Sequence, residues 1–191
     1  MMSPAESAPA RLDPNLATAE DPKTVCVRSI QIMADGDLGE FDALIHPEAV
    51  NREAVREPMA SRGRGPAAWY ATALWLRGAF SDLRWDIHEI AADGDLVAVH
   101  TTMSGRHTSP FVHYDGAGKP SQVMPPTGRT FSSAQTHWFR HADGKVIEHW
   151  ANRDDLATAQ QAGWIPPSPW YLVRMALARR RARRAAARGG M

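Results

Sequence analysis

Cysteine and long apolar runs are what this sequence has least of. Its 191 residues include one cysteine, Cys26, so an internal disulfide and a zinc site of several cysteines are excluded. No run of 18 apolar residues is present, and residues 1–21 have neither the basic start nor the apolar stretch of a signal peptide. We therefore expect a soluble cytoplasmic protein in a reducing compartment, with a flexible N-terminal segment at 1–21.

Signatures of common cofactor chemistry are also missing. The chain has no Gly-rich phosphate loop, no GxSxG nucleophile motif, no HExxH zinc motif and no glycosidase-like pair of carboxylates. These absences disfavour nucleotide, nicotinamide and flavin chemistry. His107, His137 and His149 could converge as three zinc ligands, but their spacing is not diagnostic. We therefore predict neither a metal nor a cofactor.

The apolar residues that are present suffice for one domain. With 43% hydrophobic residues and no internal repeats, the chain can bury a single core. Apolar residues recur at helical spacing over 21–33, 38–45 and 66–80, and then alternate over 83–90 and 96–104. Three helices followed by an antiparallel sheet predict an α+β fold.

The most informative stretch is 130–152, where residues alternate on either side of a short turn and predict a β-hairpin. We expect the register in which His141 pairs with Lys145. That register puts His137 directly opposite His149.

One face of this hairpin is polar. It carries Gln135, His137, His149 and Arg153. Such a face is too polar for a plain core and predicts the wall of a pocket. Trp138 and Trp150 fall on the opposite face, where they would pack against a helix or a second subunit.

The strand that begins at Leu96 supplies two more pocket candidates. Its more apolar alternating face should point inward, and that face includes Met103 and ends at His107. His100 falls on the outer face.

The segment at 109–126 contains six proline and glycine residues. This composition predicts a long irregular connection that resists helix and strand, of the kind that often forms a lid.

The C-terminal tail, residues 166–191, begins with several prolines and is strongly basic. It holds seven arginines and no acidic residue, so residues 1–165 carry a net charge of −6. We expect the tail to be helical or disordered. It is either a solvated or partner-packed extension, or a contact for an anionic membrane or for nucleic acid.

Four pieces of the chain resemble, in order, the SnoaL-like polyketide cyclases, often called ester cyclases, of the nuclear-transport-factor-two-like superfamily. They are GDLGEFDALIHPEAVNRE at 36–53, AFSDLRWDIHEIAADGDLVAVHTTMSGRHTSPF at 79–111, PPTGRT at 125–130 and GKVIEHWANRDDLATAQQAG at 144–163. The resemblance implies a cone-shaped α+β domain at 22–165, in which a curved antiparallel sheet wraps around N-terminal helices. It also implies a largely apolar pocket and a homodimer formed through the outer sheet face.

The same resemblance implies a reaction. The family's cyclases close a ring in a polyketide ester by an intramolecular aldol reaction without a cofactor. A base removes a proton next to a carbonyl, and hydrogen-bond donors hold the enolate charge. The family's acid–base aspartate corresponds here to Ala151, two residues after His149. Either His149, His137 or another carboxylate, with Asp154 as the candidate, has assumed that role, or the chain has kept the pocket and lost the cyclase.

Each candidate also has a structural explanation. An imidazole pKa near 6.5 suits His137 and His149 to proton transfer, but both could simply be hydrogen-bonded wall residues. Asp154 could instead cap the helix expected at 156–162. Asn51 could end a turn, and Arg153 could end an exposed strand rather than hold an anionic group. The residues predicted to bind substrate are Asn51, His107, Gln135, Arg153 and Met103.

Two functional hypotheses follow. The first is a cofactor-independent cyclase, or a related isomerase or hydrolase, acting on a hydrophobic polyketide-like small molecule. The second is a non-catalytic domain of the same fold that binds such a ligand. The retained histidines favour the first hypothesis, and Ala151 favours the second.

Overall fold

The computed structural model describes residues 21–188, so nearly all of the expected flexible segment at 1–21 lies outside the described residues. The α-helices are α1 Pro22–Asp35, α2 Leu38–Leu44, α3 Gly65–Ala79, α4 Asp155–Gln161 and α5 Pro169–Arg188. The strands are β1 Ile45–Asn51, β2 Phe80–Asp93, β3 Leu96–His107, β4 Phe111–Tyr114, β5 Pro120–Met124, β6 Thr130–Ala142 and β7 Lys145–Arg153. Two short 3₁₀ helices, Ala54–Arg56 and Met59–Arg62, connect β1 to α3.

Capping and strand pairing decide where α2 begins and ends. Asp37 and Glu40 form a capping box, in which each side chain accepts a hydrogen bond from the other's backbone N–H. The helix ends at Leu44, slightly earlier than the pattern predicts. It ends there because Ile45 already pairs with Val146 of β7.

The main sheet has five strands in the order β1-β7-β6-β3-β2. Neighbouring strands run antiparallel except β1 and β7, which run parallel. The predicted α+β fold is confirmed, but the expectation of a purely antiparallel sheet is wrong at this edge. Parallel pairing is possible because almost the whole domain lies between β1 and β7 in the chain. Irregular pairing at two places in β2 bends the sheet.

The core lies between the N-terminal helices and the concave face of the sheet. Its most deeply buried side chains are Cys26, Phe41, Ile45, Val97, Val99, Phe139 and Val146. Each large apolar side chain buried in this way contributes about 1.5–3 kcal/mol relative to exposure. Cys26 is a small buried residue with a free thiol.

The turn between β6 and β7 is shorter than predicted. Asp143 and Gly144 form it alone, at positive φ angles of 52° and 75°. These angles are typical of the two-residue turn that matches the twist of a hairpin. Ala142 therefore pairs with Lys145, where we expected His141 to do so.

A second irregularity in β6 moves the register further. The pairing shifts between Arg140 and His141, so His137 lies opposite Ala151 rather than opposite His149. The predicted register is wrong by two residues in total. Because side chains alternate with a period of two, both histidines still point to the same face.

Residues 109–126 are more ordered than predicted, because they contain the β4–β5 hairpin. The Asp115 side chain accepts hydrogen bonds from the backbone N–H groups of Ala117 (3.0 Å) and Lys119 (2.9 Å), which organises the turn. The prolines do not interrupt the strands. They flank them or, like Pro120, occupy the first strand position, where a missing N–H is tolerated.

The basic tail is helical from Pro169 to Arg188 and packs against the β4–β5 hairpin. Its side chains donate to main-chain carbonyls: Tyr171 Oη to Pro125 O (3.1 Å), Arg174 Nη2 to Pro126 O (3.0 Å) and Arg183 Nε to Pro120 O (3.1 Å). Within residues 21–188, no helix combines the length and apolar character needed to cross a membrane.

Candidate functional site

A cavity of about 90 Å³ opens between α1, α3 and the concave face of the sheet, and its surface is mainly apolar. Trp69, Trp75 and Trp85 form part of the wall. The polar and charged groups gather where β1, β6, β7 and the first 3₁₀ helix meet. They include Asn51, Glu53, Glu57, Gln135, His137, His149 and Arg153.

A chain of hydrogen bonds runs along this polar wall. It joins Asn51 Oδ1 to His149 Nδ1 (2.9 Å), His149 Nε2 to His137 Nδ1 (2.9 Å), His137 Nε2 to Gln135 Oε1 (2.9 Å) and Gln135 Nε2 to Met103 Sδ (3.2 Å). The structure thus brings together five of the residues predicted for the site. The two imidazoles are each 9% exposed.

The direction of the chain is set at its Asn51 end. Asn51 Oδ1 also accepts from the Glu53 backbone N–H (3.1 Å), so the acceptor side of the amide faces His149. His149 Nδ1 therefore carries a proton, and His149 Nε2 accepts from His137 Nδ1–H. When both rings are neutral, the remaining lone pair is on His137 Nε2, which lies 2.9 Å from Gln135 Oε1. Gln135 turns its Oε1 toward His137 Nε2, and this oxygen can accept a hydrogen bond only when Nε2 is protonated. For the neutral ring, the flipped amide, which turns its NH₂ group toward Nε2, would fit.

Burial keeps both histidines neutral. Desolvation, together with a smaller effect of the positive charge of Arg153, lowers the pKa of His137 to about 3. Desolvation also holds the pKa of His149 well below 6.5, with smaller effects from His137 and Arg153. At neutral pH His137 Nε2 is thus unprotonated, and it can accept a proton from another group once Gln135 moves aside.

Arg153 lines the cavity as predicted, but it is ion-paired. Its Nη2 lies 2.9 Å from Glu53 Oε2, and its Nε lies 3.5 Å from Asp155 Oδ1. Glu53 Oε1 also accepts from the Ala151 N–H (3.2 Å). The Glu53 carboxylate therefore lies beside Ala151, although Glu53 belongs to a different part of the chain. The sequence analysis did not predict it as a site residue.

Glu57 is a second carboxyl that the sequence did not indicate. It follows the first 3₁₀ helix and is 4% exposed. Thr72 Oγ1 lies 2.5 Å from its Oε2. Burial raises the pKa of Glu57, while the Thr72 hydrogen bond and the charge of Arg153 oppose that rise. Short 3₁₀ segments have no long apolar period, so no pattern marked this residue as buried.

His107 is buried on the inner side of β3 but does not line the cavity. Trp164 Nε1 donates to its Nδ1 (3.2 Å), and the Phe80 ring lies 5.5 Å away. Desolvation lowers the pKa of His107 to about 4. The substrate contact predicted for His107 does not fit this geometry, because β3 carries it past the cavity into an aromatic cluster.

Asp154 is also outside the cavity lining. Its Oδ1 accepts from the Ala157 N–H (2.8 Å) and caps α4, which is the structural alternative that the sequence left open. Since His107 lies elsewhere, the three imidazoles do not converge. Across residues 21–188, no group of three His, Cys, Asp or Glu side chains is arranged to hold a metal ion.

The sequence pattern of the family described as SnoaL-like polyketide cyclase matches residues 24–162. Aklanonic acid methyl ester cyclase from Streptomyces peucetius is 32% identical over 146 residues, which cover 75% of this chain and 92% of that protein. Nogalonic acid methyl ester cyclase from Streptomyces nogalater is 30% identical over 136 residues, which cover 71% of this chain and 89% of that protein.

Solved structures share the fold. TsrD from Streptomyces laurentii aligns with a TM-score of 0.60 at 24% identity, covering 80% of this chain and 98% of TsrD. IdmH from Streptomyces antibioticus aligns with a TM-score of 0.56 at 25% identity, covering 75% of this chain and 99% of IdmH.

Proposed function

Because this chain belongs to the SnoaL-like polyketide cyclase family, we propose that it closes a ring in a hydrophobic polyketide-like ester by a cofactor-independent intramolecular aldol reaction. The observation that carries this proposal is the directed hydrogen-bond chain from Asn51 through His149 to His137 in a mainly apolar cavity. Proton abstraction next to a carbonyl needs an unprotonated base beside the substrate, and the neutral imidazole of His137 in this cavity supplies one.

His137 is the proposed base. Once Gln135 has moved aside for the substrate, His137 Nε2 takes a proton from the carbon beside the ester or ketone carbonyl, and Nδ1–H keeps its bond to His149. Gln135 then accepts from the new Nε2–H through Oε1, which is the orientation that the structure has. The negative enolate beside the ring favours this proton transfer, because an opposite charge raises the imidazole pKa.

The cavity volume limits how the substrate binds. About 90 Å³ is well below the roughly 300–1,000 Å³ of pockets that hold whole drug-sized ligands. We propose that the reacting end of the substrate enters beside His137 and Met103, while the wall tryptophans move to admit the remaining rings. Arg153 and Asn51 are the proposed polar contacts of the substrate.

A turnover assay tests the proposal. Purified protein is incubated with a panel of polyketide methyl esters, and products are separated by chromatography and mass spectrometry. A mass-neutral cyclised product from the wild type, absent with the His137→Ala/His149→Ala double variant, would support the cyclase. Ligand retention without conversion by both proteins would support the non-catalytic binding domain, which Ala151 favours.

We also propose a homodimer formed through the outer face of the sheet. On that face, Trp138 and Trp150 stack with ring centroids 6.3 Å apart, and the Arg52 guanidinium lies 5.0 Å from the Trp150 ring. Aromatic and arginine side chains of this kind are enriched in interfaces. Light scattering on the wild type and on Trp138→Ala tests this proposal.

A cytoplasmic location is proposed on the single, buried Cys26.

For α5 we propose contact with an anionic membrane surface. Trp170, Val173 and Leu177 are exposed at helical spacing, by 70%, 48% and 47%. The same helix carries seven arginines and no acidic residue. The exposed apolar residues lie in the first half of α5, and six of the seven arginines lie at 179–188 in the second half. A helix with both features suits a lipid headgroup layer.

A further inference from the structure

Glu57 is a buried carboxyl that faces the cavity and that the base chemistry of His137 does not use. Among the described residues no cation is ion-paired with it. The guanidinium of Arg153 bonds instead to Glu53 and Asp155. Burying a carboxylate without an ion pair is costly, so this environment favours the protonated acid.

The backbone that carries Glu57 is held from both sides. Arg62 donates from Nε (2.9 Å) and Nη2 (2.8 Å) to the Glu57 carbonyl, and the Glu57 N–H donates to Ala54 O (3.3 Å). Thr72 on α3 fixes the carboxyl itself. The acid is therefore positioned before any ligand arrives, which is what efficient proton transfer requires.

We propose that Glu57 is the catalytic acid that protonates the oxygen formed when the ring closes, an inference that rests on the proposed cyclase function. His137 Nε2 takes the carbon-bound proton, and the resulting enolate carbon forms the new bond to the ketone carbon. The carbonyl π pair moves onto the ketone oxygen, and the Glu57 O–H gives its proton to that alkoxide. His137 is then an imidazolium and Glu57 a carboxylate. Proton return from His137 to Glu57 restores both groups, so no atom is gained or lost.

This assignment explains how the chain can function with alanine at 151. His137 has taken a proton at the moment when the alkoxide forms, and that proton is bonded to Gln135. Asp154 is committed to capping α4. Of the two carboxyls in the cavity wall, Glu53 is ion-paired with Arg153, whereas Glu57 is not.

The experiment measures two steps separately with a polyketide methyl ester in D₂O: exchange of the carbon-bound proton, and ring closure. Glu57→Gln should still exchange the proton but should close the ring about 10²–10⁴-fold more slowly, with KM little changed. His137→Gln should lose both steps. Glu48→Gln, on the exposed part of β1, is the matched control and should behave as the wild type.

Ring closure by Glu57→Gln at the wild-type rate would overturn the role of Glu57 and leave the cyclase standing. Loss of exchange in a folded Glu57→Gln protein would make Glu57 the base and would also overturn the assignment. No closure by the wild type would overturn both proposals.

Should Glu57→Gln fail to fold, Thr72→Val supplies the test. A required acid makes kcat fall as pH rises through the pKa of Glu57. The Thr72 hydrogen bond lowers that pKa, so Thr72→Val should move the alkaline limb to higher pH. An unmoved limb would contradict the proposal.

Discussion

His137 Nδ1 lies 2.9 Å from His149 Nε2, and this side-chain contact links β6 and β7 in addition to their backbone pairing. The two residues are not paired across the hairpin, since His137 lies opposite Ala151 and His149 opposite Phe139. Only a diagonal contact links the rings. Each ring therefore depends on its second partner, Gln135 or Asn51, for a defined proton position.

Asn51 should control activity without touching the base. In Asn51→Leu, His149 loses the acceptor that keeps its proton on Nδ1, so the chain can reverse and protonate His137 Nε2. We expect kcat to fall on the order of tenfold or more, and KM to rise as well because Asn51 is also a proposed substrate contact. Asn51→Asp, which keeps the acceptor, should retain more activity. Wild-type kcat in Asn51→Leu would show that the direction of the chain is irrelevant.

The buried histidines predict a fall in stability at acidic pH. His107, His137 and His149 have folded-state pKa values lowered from 6.5, so below that pH the unfolded chain binds more protons than the folded one. Each should cost about 2 kcal/mol of unfolding free energy between pH 7.5 and pH 5. The raised pKa of Glu57 has the opposite effect, since the folded chain then binds the proton more readily and gains stability at acidic pH. It is one group against three histidines, so the net effect is a loss of stability.

Urea denaturation at several pH values measures this effect. His107→Gln, which lies outside the cavity, should show a shallower dependence on pH than the wild type, whatever its absolute stability. Identical slopes for the two proteins would mean that His107 is not held neutral by burial.

Ala151→Asp puts a carboxylate where the family resemblance expects one. Here the new side chain would lie opposite His137 and close to Glu53. The negative charge should raise the pKa of His137 and move the acid limb of kcat/KM to higher pH. Repulsion from Glu53 should cost about 1 kcal/mol of stability. Ala151→Asn is the uncharged control, and an equal shift of the limb in it would exclude a charge effect.

The tail prediction concerns binding rather than catalysis. A chain that ends after Pro167 should lose binding to vesicles containing phosphatidylserine and should keep its turnover. The triple variant Arg179→Gln/Arg180→Gln/Arg181→Gln keeps the residues that anchor α5 and should also lose binding. Binding of the full chain should weaken from 50 to 200 mM salt, as expected for surface electrostatics. Binding to DNA but not to vesicles would favour nucleic acid as the partner.

The polar face of the hairpin was predictable although its register was not. The strand pairing deviates from the prediction at two places, the two-residue turn at Asp143 and the irregularity beside His141. Each of them shifts the pairing by one residue. Either one alone would have turned His137 away from His149, and together they restore the face. Alternation in the sequence therefore predicted the side of the sheet, whereas local backbone geometry decided which residues are opposite.

Residues outside regular elements were the ones that the sequence could not locate. Glu53 and Glu57 flank the short 3₁₀ helix Ala54–Arg56, and the burial of Glu57 depends on how α3 packs over this segment. The β4–β5 strands were hidden because the proline and glycine content of 109–126 is typical of loops. His107 points to the inner face of the sheet, as predicted. The alternation of side chains predicts which face a residue is on, but it does not predict how far along the strand the cavity extends.

The anchoring of α5 has a consequence for how this protein can diverge. Three hydrogen bonds from helix side chains to this region are accepted by carbonyl oxygens at 120, 125 and 126. Every residue type supplies a carbonyl, so substitutions in the hairpin need not release the helix as long as the backbone keeps its path. The arginine-rich surface can thus persist while the hairpin sequence drifts, and natural variation in one should not be mirrored in the other.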